Sequence, residues 1–166
     1  MKFIDLVYGW FLKAANFLQS PLLLAIRLYW GWQFWQAGYG KLTNIAQAIE
    51  NFTNMGVPAP AFNAHFIGLL EAAGGVLLIL GLGSRLIALP LTINMLTAFV
   101  IADREALHSI FSDPDKFYAA APYTFLFASL LILVFGPGWL SLDTLIAWYR
   151  AKRQKPAALE LANPST

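Results

Sequence analysis

Two ionisable side chains lie inside long apolar stretches of this sequence, Arg27 and Glu71. A carboxylate in the hydrocarbon core of a membrane costs roughly 2.5–3.5 kcal/mol on insertion scales, so Glu71 is expected to face protein or water. Counted at ~1.5 Å per residue, Arg27 lies about 9 Å and Glu71 about 16 Å in from the same, cytoplasmic side of the membrane. An arginine side chain is long enough to close much of that difference. The sequence therefore predicts an ion pair between Arg27 and Glu71.

The predicted pair has a functional and a structural interpretation, and the residues leave both open. In the first, Glu71 exchanges a proton while Arg27 anchors a carbonyl or sets the protonation of the carboxylate, as a quinone-headgroup site requires. In the second, the pair only determines how the first two membrane helices pack, since buried ion pairs often do no more than compensate desolvation. The neighbouring candidates for a pocket are Trp30, Phe34, Gly68, Gly75, Asn94 and Tyr123.

The aromatic and glycine residues around the predicted pair also admit two interpretations. The aromatic side chains of residues 27–42 either form a flat slot for an isoprenoid quinone or lipid tail, or belong to interface belts and helix packing. The packing interpretation is favoured. Glycines at mid-span, including Gly68 and Gly75, let a second helix approach closely. They are not a phosphate loop, because no strand–turn–helix setting surrounds them.

Other kinds of reactive site have little support in the sequence. There are no cysteines, which excludes disulfides, thiolate metal sites and thiol redox chemistry within the chain. His65 and His108 fall near predicted span ends and loops, a poor arrangement for bis-histidine haem ligation. The acidic segment 103–117 matches no metal-binding loop motif, so we predict no metal site.

The overall composition is that of a membrane protein. Of 166 residues, 58% are hydrophobic and 12% are charged, well below the roughly 25% charged residues of soluble domains. The net charge of +2 is too small and too dispersed to indicate nucleic-acid binding. The composition therefore favours an all-α membrane protein that contacts lipid.

Hydrophobic periodicity and turn signals divide the chain into helices of a single domain, 1–166. We predict a bundle of four transmembrane helices with interfacial amphipathic helices at its N- and C-terminal ends. The predicted segments are an interfacial helix at 2–19, transmembrane helices at 21–42, 61–82, 86–102 and 118–135, an amphipathic helix at 139–152 and a flexible tail at 156–166. Basic residues near the span ends then predict cytoplasmic termini, by the positive-inside rule.

Three stretches, read together, resemble one family of small bacterial membrane proteins. The first span reads RLYWGWQFWQAGYGKL (27–42), the following loop FTNMGVP (52–58) and the second span GLLEAAGGVLLILGLGSR (68–85). In this order and spacing they resemble the DoxX family, and SDPDKF (112–117) looks like a proteobacterial subgroup. The resemblance implies a four-helix, multi-pass protein of the bacterial inner membrane.

The resemblance also implies an association with quinone chemistry. Family members include a subunit linked to a quinol oxidase and a thiosulfate:quinone oxidoreductase, and others are associated with redox-stress complexes. The leading hypothesis is therefore a membrane subunit or accessory of a quinone-linked oxidoreductase, with a quinone as ligand and the redox centres on partner proteins. A non-catalytic scaffold or assembly factor and a small proton-coupled transporter are the alternatives, and whether the chain is an enzyme stays open. The expected partners are membrane lipid, redox proteins and a second copy of the chain.

Overall fold

The computed structural model describes the backbone of residues 2–162 and the side chains of residue 4 and residues 6–153. Within that part of the chain, every regular element is a helix. The helices are α1 (Lys2–Thr43), α2 (Ile45–Asn54), α3 (Pro60–Leu80), α4 (Ser84–Ile101), α5 (Arg104–His108), α6 (Pro114–Ala119), α7 (Ala121–Phe135) and α8 (Leu142–Ala162). The all-α prediction is therefore confirmed.

The first helix is longer than the sequence pattern predicts. α1 has 42 residues and runs through Ser20 and Pro21, so the predicted helix break between 2–19 and 21–42 is wrong. Ser20 does not cap a new helix, because its hydroxyl is buried and accepts a hydrogen bond from the backbone N–H of Trp139, at 2.9 Å. Proline is tolerated inside the helix at this point. At ~1.5 Å per residue the helix is about 63 Å long, more than twice the hydrocarbon thickness of a bilayer.

In the part of the chain that the structure describes, two helices, α3 and α4, are long and apolar enough to cross a membrane. Their bounds, Pro60–Leu80 and Ser84–Ile101, lie within two residues of the predicted spans 61–82 and 86–102. The predicted span 118–135 is interrupted, because Ala120 is extended with ψ 134° between α6 and α7. α7 has 15 residues, most of them apolar, and has a proline in its first turn, where the missing N–H would have no helical partner.

The helices pack as two principal pairs, α1 on α3 and α4 on α7, with α3 also contacting α4. Their shared core is apolar and includes Phe34, Leu78, Ala88, Leu91, Met95 and Ile132. Burial of such side chains stabilises a bundle through dispersion and close packing. α2 lies against α3 at one end.

The C-terminal helix begins near the predicted amphipathic segment 139–152 and extends further along the chain. α8 runs from Leu142 to Ala162, so it continues into the segment predicted as a flexible tail, and residues 163–166 of that tail lie outside the described residues. Exposed apolar side chains in its first half include Leu145, Ile146 and Trp148. That this helix lies at a membrane surface stays a prediction.

Candidate functional site

The buried carboxylate Glu71 lies midway along α3 and makes two side-chain contacts. Its exposure is 4%, Lys41 Nζ of α1 lies 2.5 Å from its Oε2, and Asn94 Nδ2 of α4 donates to its Oε1 at 3.0 Å. The lysine also forms the ion pair that balances the carboxylate charge. Three helices thus contribute one side chain each to a hydrogen-bonded cluster, which we call the Glu71 cluster (Lys41, Glu71 and Asn94).

Arg27 does not belong to this cluster, and the predicted ion pair between Arg27 and Glu71 is wrong. Its guanidinium donates instead to backbone carbonyls: Leu78 O at 2.9 Å, Ile79 O at 3.3 Å, Leu140 O at 3.0 Å, and Pro137 O. These carbonyls belong to the last turn of α3 and to the loop between α7 and α8. The five donors of a guanidinium match such carbonyl groups, whereas a carboxylate needs only two of them. Arg27 therefore joins α1 to that loop at the end of the bundle away from the cluster.

Asp143 strengthens the same end of the bundle, a role that the sequence pattern did not predict. Its carboxylate accepts hydrogen bonds from Gly83 N at 2.8 Å and Ser84 N at 3.0 Å, the first amides of α4. Its own N–H donates to Gly81 O at 2.9 Å. A carboxylate at a helix N-terminus satisfies free amides and interacts favourably with the helix dipole. In the sequence, Asp143 is visible only as an acidic residue in the predicted amphipathic helix 139–152. That pattern does not indicate which backbone amides it contacts.

Glycines let α1 and α3 approach at two crossing points, as their positions predict. A Cβ on Gly38 would overlap Ala72 N and Gly68 O, and one on Gly75 would overlap Gly31 O. Small residues at helix interfaces permit such contact between backbones. The close crossing at Gly38 holds α1 against the part of α3 that carries Glu71, and Lys41 lies one turn beyond it. The predicted pocket residues Gly68 and Gly75 are therefore helix-packing positions.

A cavity of about 480 Å³ lies beside the Glu71 cluster. All three members of the cluster line it, and most of its wall is apolar, including Ile67, Met95, Ala98, Ile101, Pro122 and Phe125. Segment 52–58 contributes Phe52, Met55, Val57 and Pro58 on the outer side. Small-molecule sites commonly combine an apolar wall of this size with a few placed polar groups. The arrangement is suited to binding a molecule that is mostly apolar and has a polar end.

The remaining candidate pocket residues divide between this cavity and the core. Asn94 lines the cavity, as proposed, through its contact with Glu71. Phe34 is fully buried in the core with its ring 4.8 Å from that of Phe125, and Trp30 packs edge-on against the same phenylalanine. Tyr123 packs edge-on against Phe117 and stacks with Phe127 near the start of α7. Trp30, Phe34 and Tyr123 support the helices that carry the cavity without lining it.

Lys41 is the member of the cluster that the sequence interpretation missed. Its position near the end of the predicted span 21–42 is typical of a lysine that extends its ammonium group to water. The available signal was its spacing, since it lies three residues after Gly38 and thus on the same face of α1. That glycine face packs on α3, so a lysine on it can reach an acid on α3.

The charged loop after α4 contains a surface ion pair. Lys116 Nζ donates to Glu105 Oε2 at 2.8 Å; this bond and the charge of Lys116 lower the pKa of Glu105, and the carboxylate raises the pKa of Lys116. His65 and His108 are exposed. Among the described residues, no three His, Cys, Asp or Glu side chains gather as metal ligands would.

Comparison with known proteins places the chain in a family. The DoxX family model matches residues 22–104. The chain is similar to the uncharacterized membrane protein Rv3486 of Mycobacterium tuberculosis, with 33% identity over 74% of this chain and 80% of the relative. It is also similar to a Bacillus subtilis protein named "Putative oxidoreductase CatD", with 26% identity over 74% of this chain and 85% of that one. No solved structure matches the chain significantly. The chain belongs to the DoxX family and is a membrane protein.

Proposed function

We propose that this protein is a membrane subunit or accessory of a quinone-linked oxidoreductase of the bacterial inner membrane, and that its cavity receives a quinone ring. One observation carries the proposal: the buried Glu71 cluster lies at an apolar cavity of about 480 Å³. The name of the Bacillus subtilis relative, which contains the word oxidoreductase, lends support from a different direction.

The cluster has hydrogen-bond donors to spare for a quinone carbonyl. An ammonium group has three donors and a side-chain amide has two, and Lys41 and Asn94 each direct one donor to Glu71. Lys41 and Asn94 line the cavity together with Phe125, whose ring offers an apolar face. A flat, uncharged ring with carbonyl acceptors therefore suits the residues present.

The chain's own groups would bind this ligand and hold a proton beside it. A quinone supplies two-electron chemistry that is coupled to proton uptake and release. Lys41 and Asn94 would donate to a carbonyl, and the Glu71 carboxylate would accept a proton at Oε1 or Oε2. Because Glu71 is 4% exposed, bulk water competes little for these hydrogen bonds. We infer that redox centres that pass electrons to the site are on partner proteins, since this sequence has no cysteine ligands.

The proposal includes a membrane arrangement with four spans. The C-terminal half of α1, together with α3, α4 and α7, would cross the bilayer, and the basic residues after Trp148 would lie on the cytoplasmic side. The hydrogen bond between Ser20 and Trp139 supports this arrangement, because it places the middle of α1 beside the start of α8. Both termini then lie on one side, and the Glu71 cavity opens toward the other.

Quinone binding to purified protein in lipid nanodiscs tests the proposal. A short-chain ubiquinone analogue should bind the native protein saturably in calorimetric titration. Lys41→Met should weaken binding about tenfold or more, since a hydrogen bond from a charged donor contributes roughly 1.5–3 kcal/mol. Glu50→Gln is the matched control, because Glu50 is an exposed acid on the adjacent helix α2.

The same preparation decides the outcome. Recovery of a redox partner by affinity purification from native membranes would support the subunit role. Native protein that shows no saturable binding and recovers no redox partner would overturn the proposal. If the native protein and Lys41→Met bind the quinone analogue with equal affinity, the Glu71 cluster is not the quinone site.

A non-catalytic scaffold or assembly factor is the second candidate. It is favoured by the hydrogen bonds of Arg27 and Asp143. These bonds join helix ends and do not line a pocket. A scaffold predicts that Glu71→Gln lowers stability or partner recovery and leaves quinone affinity and turnover of the complex unchanged.

A further inference from the structure

We infer that Glu71 exchanges protons with one side of the membrane only, the side on which the cavity opens. We call this the cavity end of the bundle, where α1 and α4 end and α3 and α7 begin. The inference rests on the four-span arrangement of the proposed function and concerns the same carboxylate. It does not require that a quinone binds there.

The cavity end offers a route from Glu71 to water. The Lys41 side chain is 29% exposed while that of Glu71 is 5% exposed, so the two groups form a step from surface to interior. Met55, Pro58, Ala102 and Ala121 line the cavity and are exposed, which places its rim at this end. From Glu71 the cavity end of α3 is about 16 Å away at ~1.5 Å per residue, and the cavity occupies part of that distance.

The opposite direction is closed by packed side chains. Leu78 lies seven residues, about two helical turns, beyond Glu71 and is 0% exposed. Phe34, Leu91 and Ile132 around it are also 0% exposed. Interiors packed in this way contain few voids large enough for water, and a proton needs a chain of water or polar groups to move. The core therefore interrupts any proton path toward the other end.

Arg27 adds an electrostatic barrier at that same end. Arg27 is 1% exposed and its hydrogen-bond partners are neutral backbone carbonyls, while the nearby carboxylate of Asp143 offsets part of its charge. A buried positive charge repels an incoming hydronium ion, and an arginine in a narrow passage is one way that channels exclude protons. Packing and charge thus act together to seal the Arg27 end.

The groups that contact Glu71 define what controls its proton. Lys41 approaches from α1 and Asn94 from α4, and α7 contributes the uncharged Pro122 and Phe125 to the same cavity. Any proton that a reaction at this site releases or consumes therefore appears at, or is drawn from, the cavity end. A transporter that opens its site alternately to both sides would require the opposite behaviour.

Cysteine accessibility tests the inference, because the native chain has no cysteines that react. Thr97→Cys and Met95→Cys place thiols on the cavity wall, and Ala88→Cys places one in the core nearer the Arg27 end. None of these changes touches the Glu71 cluster. A small, membrane-impermeant methanethiosulfonate would be added to right-side-out spheroplasts and, separately, to inverted membrane vesicles.

We expect Met95→Cys and Thr97→Cys to react from one side only, and Ala88→Cys to react from neither until the protein is denatured. Reaction of Met95→Cys from both sides, or from neither, would overturn the inference. If Met95→Cys does not fold, Thr97→Cys alone decides, because Thr97 lines the same cavity.

Infrared spectroscopy of the carboxyl group provides a direct measurement. In proteoliposomes of uniform orientation, the carboxyl band that Glu71→Gln removes should respond to pH at the cavity end and ignore pH at the Arg27 end. A response to both sides, to the Arg27 side alone, or to neither would overturn the inference. If the carboxyl band responds to pH on the cavity side only and the protein does not bind the quinone analogue, this inference is supported and the proposal of a quinone ligand is wrong.

Discussion

Lys41 Nζ lies 2.5 Å from Glu71 Oε2, so the partner of the buried carboxylate is the lysine at the end of α1. The ion pair therefore lies closer to the cavity end of the bundle than a pair of Glu71 with Arg27 would. The sequence pattern predicts one pair of Arg27 and Glu71, whereas in the structure these two residues have separate roles. Glu71 belongs to a cavity, and Arg27 belongs to the backbone network at the other end.

The Lys41–Glu71 contact should form a covalent bond in the presence of a membrane-permeant carbodiimide. The reagent adds to the carboxyl group to form an O-acylisourea; an adjacent amine then attacks its carbonyl carbon, the urea leaves, and the peptide pair is lighter by the mass of one water. We expect a crosslinked peptide joining residues 41 and 71, detected by mass spectrometry, and its loss in Glu71→Gln. The exposed pair Glu105–Lys116, at 2.8 Å, provides an internal positive control. A crosslink at 105–116 without one at 41–71 would contradict the contact.

Removing one partner of the buried pair should cost more than removing both. Lys41→Met leaves an uncompensated carboxylate that is 4% exposed, and we expect roughly 3 kcal/mol of destabilisation. Adding Glu71→Gln to Lys41→Met should recover at least half of that loss. Thermal unfolding in detergent measures both effects, with Glu50→Gln as the control that leaves the melting temperature unchanged. Additive losses in the double variant would show that the two groups do not interact.

The crossing of α1 and α3 should tolerate no side chain at Gly38. Gly38→Ala places a Cβ against the backbone of Ala72 and Gly68, so the helices must separate and the folded fraction should fall sharply. Gly40→Ala is the matched control on the same helix, because no atom lies within 4 Å of its Cβ position. Alanine is favoured over glycine in a helix by ~1 kcal/mol, so this control should be neutral or stabilising. Size-exclusion yield of monodisperse protein compares the two.

Lysine should not replace arginine at position 27. The guanidinium donates to carbonyls of two separate segments, and a lysine ammonium at the end of a flexible stem cannot match that geometry. We expect Arg27→Lys to lower the melting temperature and to speed proteolytic release of α8. Arg85→Lys is the control, since Arg85 makes one exposed hydrogen bond, to Val134 O. Equal proteolysis rates in the two variants would argue against the network.

Some features of this protein follow from local sequence alone. Apolar length and hydrophobic periodicity predicted α3 and α4 to within two residues, because a helix in an apolar environment must satisfy its own backbone groups. The mid-span glycines correctly predicted that a second helix approaches closely at Gly68 and Gly75, and the structure shows that this helix is α1. The buried carboxylate could also be located, because Glu71 is an acid within an otherwise apolar run.

Only the tertiary structure decided which groups those side chains contact. Partner choice depends on the register between helices, and a shift of one turn moves a side chain by ~5.4 Å, enough to exchange one partner for another. The crossing at Gly38 sets that register and brings Lys41, rather than Arg27, to Glu71. Ser20 and Pro21 show that local sequence also fails to predict this part of α1. Local signals predict a helix break there, but the helix is continuous. The Ser20 hydroxyl instead accepts a hydrogen bond from the N–H of Trp139, 119 residues away in the chain.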